Sequence, residues 1–347
     1  MIKLPLAALL PALLAAAPLG AQDKPPALAP SEIVAAAPRA DWKAIAASDL
    51  LVMDLAPDAK GKPRRAVIQL MPPPFSQGWI GNIRKLAAAR WWDGLSINRV
   101  QDNYVVQWGD AEGEDPKKAK ALPARLAVLA ESDYLTTAHA APFGGPSKTV
   151  PPFTNSSFTD IYVNQDGPDL LQRGGWSGFS MGWPVAVLSV NPRKGKEDSY
   201  TDVTGRTVGL MWPVHCYGMV GVGRNLSPDT GSGAELYTVI GHAPRHLDRN
   251  IALVGRVIEG IEHLSSLPRG TGSLGFYETP EERTAILSVR MGSEVAGLPA
   301  YEYLSTESQS FAAYADARAN RRDAFFIRPA GGADVCNIPV PVRRVKG

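Results

Sequence analysis

The sequence predicts a mainly β protein built around a barrel. Two observations lead there. Short strand-like runs recur between turn-rich segments over residues 50–290, and only two stretches in that span carry good helical spacing. Many short strands with few helices argue for a β barrel. The chain shows no internal repeat and no low-complexity segment.

Taken in order, residues 50–55 and 66–70 are β-type runs. The segment 57–63 between them is a turn by composition, with Pro57, Gly61 and Pro63, so the pair predicts a hairpin. Residues 76–89 place Trp79, Ile80, Ile83 and Leu86 at helical spacing, with Ser76 as the expected N-cap. A second hairpin is expected from 95–100 and 104–107 around Gln101-Asp102-Asn103. From Gly109 to His215 the pattern weakens into Gly, Pro, Ser and aromatics. An unstructured loop of that length does not suit a compact domain, so about 111–216 is expected to be an insertion with short strands of its own, 185–190 the clearest. Strand-like runs resume at 219–222, 235–240, 252–257 and 285–289, with a helix over 258–267 ended by Pro268-Arg269-Gly270. The last fifty or so residues carry a helical pattern at 308–322 and strand-like pieces at 324–327 and 335–338.

Both ends are distinctive. Lys3, an apolar stretch over 4–14 and small residues over 15–21 form a secretory signal pattern, with cleavage expected after Ala21 or, alternatively, Ala17. The apolar stretch is shorter than the ~20 residues a spanning helix needs. An exported, periplasmic protein with no membrane segment after cleavage is therefore expected. Residues 22–48, rich in Pro and Ala, suggest a tether with one short helix near 31–36, and order is expected to begin at Leu50.

The formal net charge of +2 gives no basic footprint for nucleic-acid binding. Lys60, Lys62, Arg64 and Arg65 suit a solvated turn. Cys216 and Cys336 are the two cysteines, and an oxidising compartment favours a bridge over two buried thiols.

Three motifs invite a functional reading and do not sustain one. Gly178-Phe179-Ser180-Met181-Gly182 fits the nucleophile-elbow pattern, but residues 169–176 before it are not a buried strand, and Pro184 follows where a helix should start. Gly218, Gly221 and Gly223 reverse the spacing of a dinucleotide fingerprint. His242 and His246 are separated by Pro244, and no HExxH or CxxC supports a metal, so neither metal nor cofactor is expected.

The second hairpin is more informative. Strict alternation puts Arg99 on the face of Leu95 and Ile97, and Gln107 on that of Val105. An arginine among apolar neighbours must find an acceptor, face a site, or snorkel to water from a barrel rim.

These residues resemble the cyclophilins. Trp92-Asp93-Gly94-Leu95-Ser96-Ile97-Asn98-Arg99-Val100 with Val105-Val106-Gln107-Trp108-Gly109-Asp110 is similar to the family's Y-D-G-x-x-F-H-R-V…M-x-Q-G-G-D segment. Gly218 to Gly223 resembles G-x-x-S-M-A, and Gly233-Ala234-Glu235-Leu236-Tyr237 resembles G-S-Q-F-F. His246-Leu247-Asp248-Arg249-Asn250 leading to Val254–Gly260 is similar to W-L-D-G-K-H…F-G-x-V-x-x-G.

The resemblance implies a closed eight-stranded antiparallel barrel with two covering helices over 49–293, and a small α/β extension over 294–347. It implies a peptidyl-prolyl isomerase that assists the folding of exported proteins. Its partners would be proline-containing polypeptides. Arg99 would be the catalytic arginine and Gln107 its polar neighbour, with Tyr104, Val105, Tyr237 and Leu247 lining a proline pocket and Glu235 and His246 at its rim. Asn98 stands in place of the family's histidine, Tyr104 and Tyr237 in place of phenylalanines, His246 in place of tryptophan, and Asn250-Ile251 where a later histidine falls. Glu235 replaces glutamine and is expected within pairing reach of Arg99. The alternative is a catalytically weak or inactive cyclophilin-like module for periplasmic binding or assembly.

Overall fold

A computed structural model describes residues 27–137, 175–188, 200–201 and 207–345. The expected signal segment, residues 22–26, the run 169–174 before the elbow motif and residues 189–190 lie outside these.

Eight strands, β1 (Leu50–Leu55), β2 (Arg64–Leu70), β3 (Ser96–Val100), β4 (Val105–Gly109), β5 (Met219–Val222), β6 (Leu236–Val239), β7 (Leu253–Glu259) and β8 (Thr284–Met291), form the central sheet. It closes as an antiparallel barrel in the order β5-β6-β4-β3-β8-β1-β2-β7. Leu51, Met53, Ile68, Ile97, Val106, Trp108, Val220, Leu236 and Ile286 fill it. Burying one such side chain contributes ~1.5–3 kcal/mol, so the interior rather than strand propensity holds the closure.

The described helices are α1 (Pro30–Ala36), α2 (Gln77–Ala88), α3 (Glu262–Ser265) and α4 (Gln309–Ala319). Helix α2 covers one barrel end with Trp79, Ile80, Ile83 and Leu86. The Trp79 indole donates to the carbonyls of Thr230 and Gly231 at 3.1 and 3.0 Å. Ser76 sits at its start with a left-handed φ of 51°, and its hydroxyl makes no capping bond, contrary to the expected N-cap. The expected helix over 258–267 is shortened because the β2–β7 ladder continues to Glu259, and Gly260 at φ 82° then turns the chain.

Order begins before Leu50. Trp42–Ile45 pairs with Tyr301–Leu304, which pairs with Val342–Arg344, and α1 packs on α4. The N-terminal segment is thus built into the C-terminal extension rather than hanging as a tether. Residues 324–327 form no strand, and the Phe325 and Ile327 side chains stand exposed without a sheet partner. Residues 335–337 form a 3₁₀ turn instead of a strand, because Asp334 Oδ1 accepts from the Cys336 N–H at 2.7 Å.

The insertion contributes a four-stranded sheet in the order Thr136–Thr137, Leu210–Pro213, Trp183–Leu188, Gly175–Ser180. Its elbow-like motif is a hairpin turn. Met181 and Gly182 both have positive φ, 51° and 84°, as a two-residue type I′ turn requires. The turn is gripped from two sides. Arg256 of β7 donates to the Gly182 carbonyl at 2.8 Å, while Thr306 and Glu307 of the extension accept from the N–H groups of Gly182 and Met181, each at 2.9 Å. Ser180 is fully buried, whereas a nucleophile must be open to substrate.

Cys216 and Cys336 form a disulfide that joins the insertion–barrel junction to the extension across 120 residues. Closing so long a loop contributes up to ~4–5 kcal/mol, often less in practice. Replacing both cysteines by alanine should lower the urea midpoint by the equivalent of about 2–5 kcal/mol. An unchanged midpoint would show that the extension is held by packing alone.

Candidate active site

A groove of about 640 Å³ opens on the outer face of β3, β4 and β6 and is lined by Arg99, Tyr104, Val105, Gln107, Glu235, Tyr237 and Leu247. Register explains the gathering. Gln107 lies opposite Arg99 across the β3–β4 pair and opposite Tyr237 across the β4–β6 pair. Arg99 reaches this face because of a β-bulge between Ile97 and Arg99. Strict alternation would put Arg99 with Ile97. Instead Ile97 and Val100, three residues apart, both enter the core, and the half-buried Arg99 turns outward.

Arg99 is held at three nitrogens. Its Nε donates to the Leu274 carbonyl at 2.8 Å, one terminal nitrogen donates to Gln107 Oε1 at 3.3 Å, and the other donates to Gln101 Oε1. Its guanidinium lies over the rings of Tyr104 and Phe276, 5.6 and 5.1 Å from their centroids. With five N–H donors and three engaged, one on each terminal nitrogen is uncommitted among the described residues. Burial lowers the Arg99 pKa from its ordinary value, which leaves the group cationic at neutral pH.

The apolar floor is Val105, Tyr237 and Val239, with Tyr104, Leu247 and Ile251 packed against it. Tyr237 is buried, and desolvation raises its pKa well above the ordinary range. Its hydroxyl bonds His215 Nε2 at 2.8 Å, His215 Nδ1 bonds Asp248 Oδ1 at 2.8 Å, and Arg245 Nε donates to Asp248 Oδ2 at 2.7 Å. The hydroxyl that a phenylalanine would lack therefore ends in a buried polar chain. His246 is exposed and stacks on Tyr104, with ring centroids 6.2 Å apart, rather than lining the groove.

Glu235 does not pair with Arg99. Its Oε1 accepts from the Asp110 N–H at 2.6 Å, and Oε2 lies 3.5 Å from Asn98 Nδ2. Desolvation raises its pKa from the ordinary carboxylate value to about 7. Gly109 makes the close approach possible, since a Cβ there would overlap the carboxylate.

Four contributors escape sequence reasoning: Gln101, Leu274, Phe276 and His215. Phe276 bridges to Arg99 from a Gly-rich loop that has no periodicity, and His215 is isolated between insertion and barrel. Among the described residues no cluster of three or more His, Cys, Asp or Glu is arranged to hold a metal ion, and no helix is long and apolar enough to cross a membrane.

The family model described as cyclophilin type peptidyl-prolyl cis-trans isomerase/CLD matches residues 79–291. No curated protein matches the chain. Among solved structures, the cyclophilin AquaCyp293 from Hirschia baltica is similar with a TM-score of 0.58 and 18% identity, over 88% of this chain and 95% of that one. A cyclophilin type peptidyl-prolyl cis-trans isomerase of Cryptosporidium parvum, crystallised in the presence of the dipeptide Ala-Pro, is matched with a TM-score of 0.34 and 10% identity, over 69% of this chain and 98% of that one. The family match starts at residue 79, yet β1 and β2 lie before it and complete the same barrel.

Proposed function

This chain belongs to the cyclophilin type peptidyl-prolyl cis-trans isomerases, and on that premise we propose that it is an exported, periplasmic isomerase that speeds the folding of proline-containing polypeptides through Arg99. The observation that carries the mechanism is an arginine fixed at the edge of an apolar-floored groove with N–H donors still uncommitted.

Isomerisation must twist a peptide bond whose resonance imposes a barrier of ~18–20 kcal/mol. At X–Pro both isomers are populated, and exchange without catalysis takes tens of seconds or longer. Val105, Tyr237 and Leu247 hold the prolyl ring while the acyl side turns. The proline nitrogen gains a usable lone pair only when the bond is twisted, and an Arg99 N–H donates to it then. That bond is absent in the planar ground state, so it lowers the barrier instead of tightening substrate binding. A thousandfold acceleration asks for only ~4 kcal/mol. The reaction consumes no ATP, which suits a compartment outside the cytoplasm, and the signal pattern at 1–21 supports that placement.

Measuring cis/trans exchange of prolyl tetrapeptides, alongside fractionation of the expressed protein, tests activity and location together. Two further outcomes follow from the site. Ser180→Ala should keep the isomerase kcat/KM, because Ser180 belongs to the buried hairpin and not to the groove. A large loss of kcat in a folded variant would revive the nucleophile reading. Cyclosporin should bind weakly, because an imidazole at 246 offers less apolar surface than the indole the family carries there, and it is spent on Tyr104. A nanomolar dissociation constant would contradict this.

A further inference from the structure

Within β3, β8 pairs only with Ser96 and Ile97. Beyond them the Gly-rich loop 270–277 takes the place of a strand. The Asn98 carbonyl accepts from the Tyr277 N–H and the Val100 carbonyl from the Gly270 N–H, each at 3.0 Å, and Phe276 bridges Arg99 between them. The loop thus supplies bonds that a neighbouring strand would otherwise make. Gly275, at φ 78°, allows the close contact, since a Cβ there would lie 2.7 Å from the Val100 carbonyl oxygen. Two further bonds brace the loop. The Tyr277 hydroxyl donates to the Pro268 carbonyl at 2.6 Å, and Arg269 Nε donates to Asp102 Oδ1 at 2.8 Å.

One loop therefore holds the backbone of Arg99 and meets its side chain twice. The Leu274 carbonyl takes the Nε–H, and the Phe276 ring faces the guanidinium carbon at 5.1 Å. The two contacts act differently. Hydrogen bonds to the N–H groups lie in the guanidinium plane, whereas a ring face attracts the cation as a whole. Arg99 is half-buried, and that attraction strengthens as water is excluded. Tyr104 is the other ring over the cation, but it also packs on the apolar floor with Val105 and Tyr237. Phe276 is not part of that floor.

We propose that Phe276 is a positioning residue for Arg99: its ring face, presented by the loop that closes the edge of β3, fixes the guanidinium so that the open donors address the groove. The inference rests on the isomerase reading for its effect on rate, but not for its geometry. The proline nitrogen offers its lone pair only in the twisted state, so a displaced guanidinium costs rate more than affinity. A misplacement of about 1 Å can cost up to about a hundredfold. Leucine at 276 would fill similar space without a ring face, and tyrosine would keep the face.

Two measurements on the full-length protein test this. In exchange spectroscopy of a prolyl tetrapeptide, Phe276→Leu should lower kcat about fivefold to tenfold with KM nearly constant, and Phe276→Tyr should recover most of the loss. In nitrogen-15 NMR, the Arg99 Nε–H, assigned by its loss in Arg99→Ala, should exchange with water several-fold faster in Phe276→Leu than in the wild type or Phe276→Tyr. The Tyr277 amide, bonded to the Asn98 carbonyl, should keep its wild-type exchange rate, because the loop stays seated. Phe276 is 40% exposed, so neither variant should impair folding. A wild-type kcat in Phe276→Leu, an equal loss in Phe276→Tyr, or an unchanged Arg99 Nε–H would overturn the proposal. So would a loss confined to KM, which would make Phe276 a substrate contact, or a deprotected Tyr277 amide, which would make it a seat for the loop. Faster Arg99 exchange in Phe276→Leu, with no isomerase activity even in the wild type, would leave the positioning intact and overturn the functional reading instead.

Discussion

Arg99→Ala should lower kcat/KM for a prolyl tetrapeptide by about 10²–10³, or roughly 3–4 kcal/mol. The loss should fall on kcat, because in the proposed pose the prolyl ring rests on Val105, Tyr237 and Leu247, away from the reacting nitrogen. Arg99→Lys should recover little. Arg99 is held by three acceptors at three different nitrogens while two donors stay open, and a single ammonium carries no such planar fork. Folding should be barely affected, since Arg99 is half-buried and its backbone ladder does not depend on its side chain. Full activity in a folded Arg99→Ala protein would refute the assigned role.

The second large effect concerns the buried chain behind the pocket floor. Asp248→Ala should destabilise the protein by about 3–5 kcal/mol, because it leaves the fully buried His215 groups without their partner. Asp248 accepts from the His215 backbone N–H at 2.9 Å, bonds His215 Nδ1 at 2.8 Å, and accepts from Arg245 Nε at 2.7 Å, while being only 4% exposed itself. His215 in turn fixes the Tyr237 hydroxyl, so the pocket floor should loosen and KM should rise. Asp248→Asn, which keeps one acceptor, should lose less. The urea midpoint of each variant reads the effect directly, and a midpoint equal to wild type would mean the chain carries no net stability.

Much of the barrel was legible in the residues. Hairpins β1–β2 and β3–β4 announce themselves by apolar runs around Pro57–Pro63 and Asp102-Asn103, and Asn103 does take a left-handed φ of 49°. The site was legible only through the resemblance, because alternation misplaces Arg99. A bulge adds one residue to one strand, which no periodic pattern reveals in advance. The expected Glu235–Arg99 pairing failed for a related reason. Nearness in the groove was foreseeable, but the Asp110 N–H and the Asn98 amide that claim the carboxylate become its neighbours only once β3, β4 and β6 are in register. Trp42–Ile45 stayed hidden because a four-residue strand has too short a pattern, and its partner, Tyr301–Leu304, is at the far end of the chain. The pieces at 324–327 and 335–338 show the converse. Their composition favours strands, but the first finds no edge to join and the second is turned by the Asp334 cap.

The central claim is that this groove turns prolyl bonds, and wild-type exchange rates test it most directly. Cis/trans exchange of tetrapeptides carrying several different residues before proline should be accelerated well above the spontaneous rate, which is about one event in tens of seconds. Exchange at the spontaneous rate for every peptide, with the barrel folded and the disulfide formed, would contradict catalysis and leave the chain a cyclophilin-like binding module.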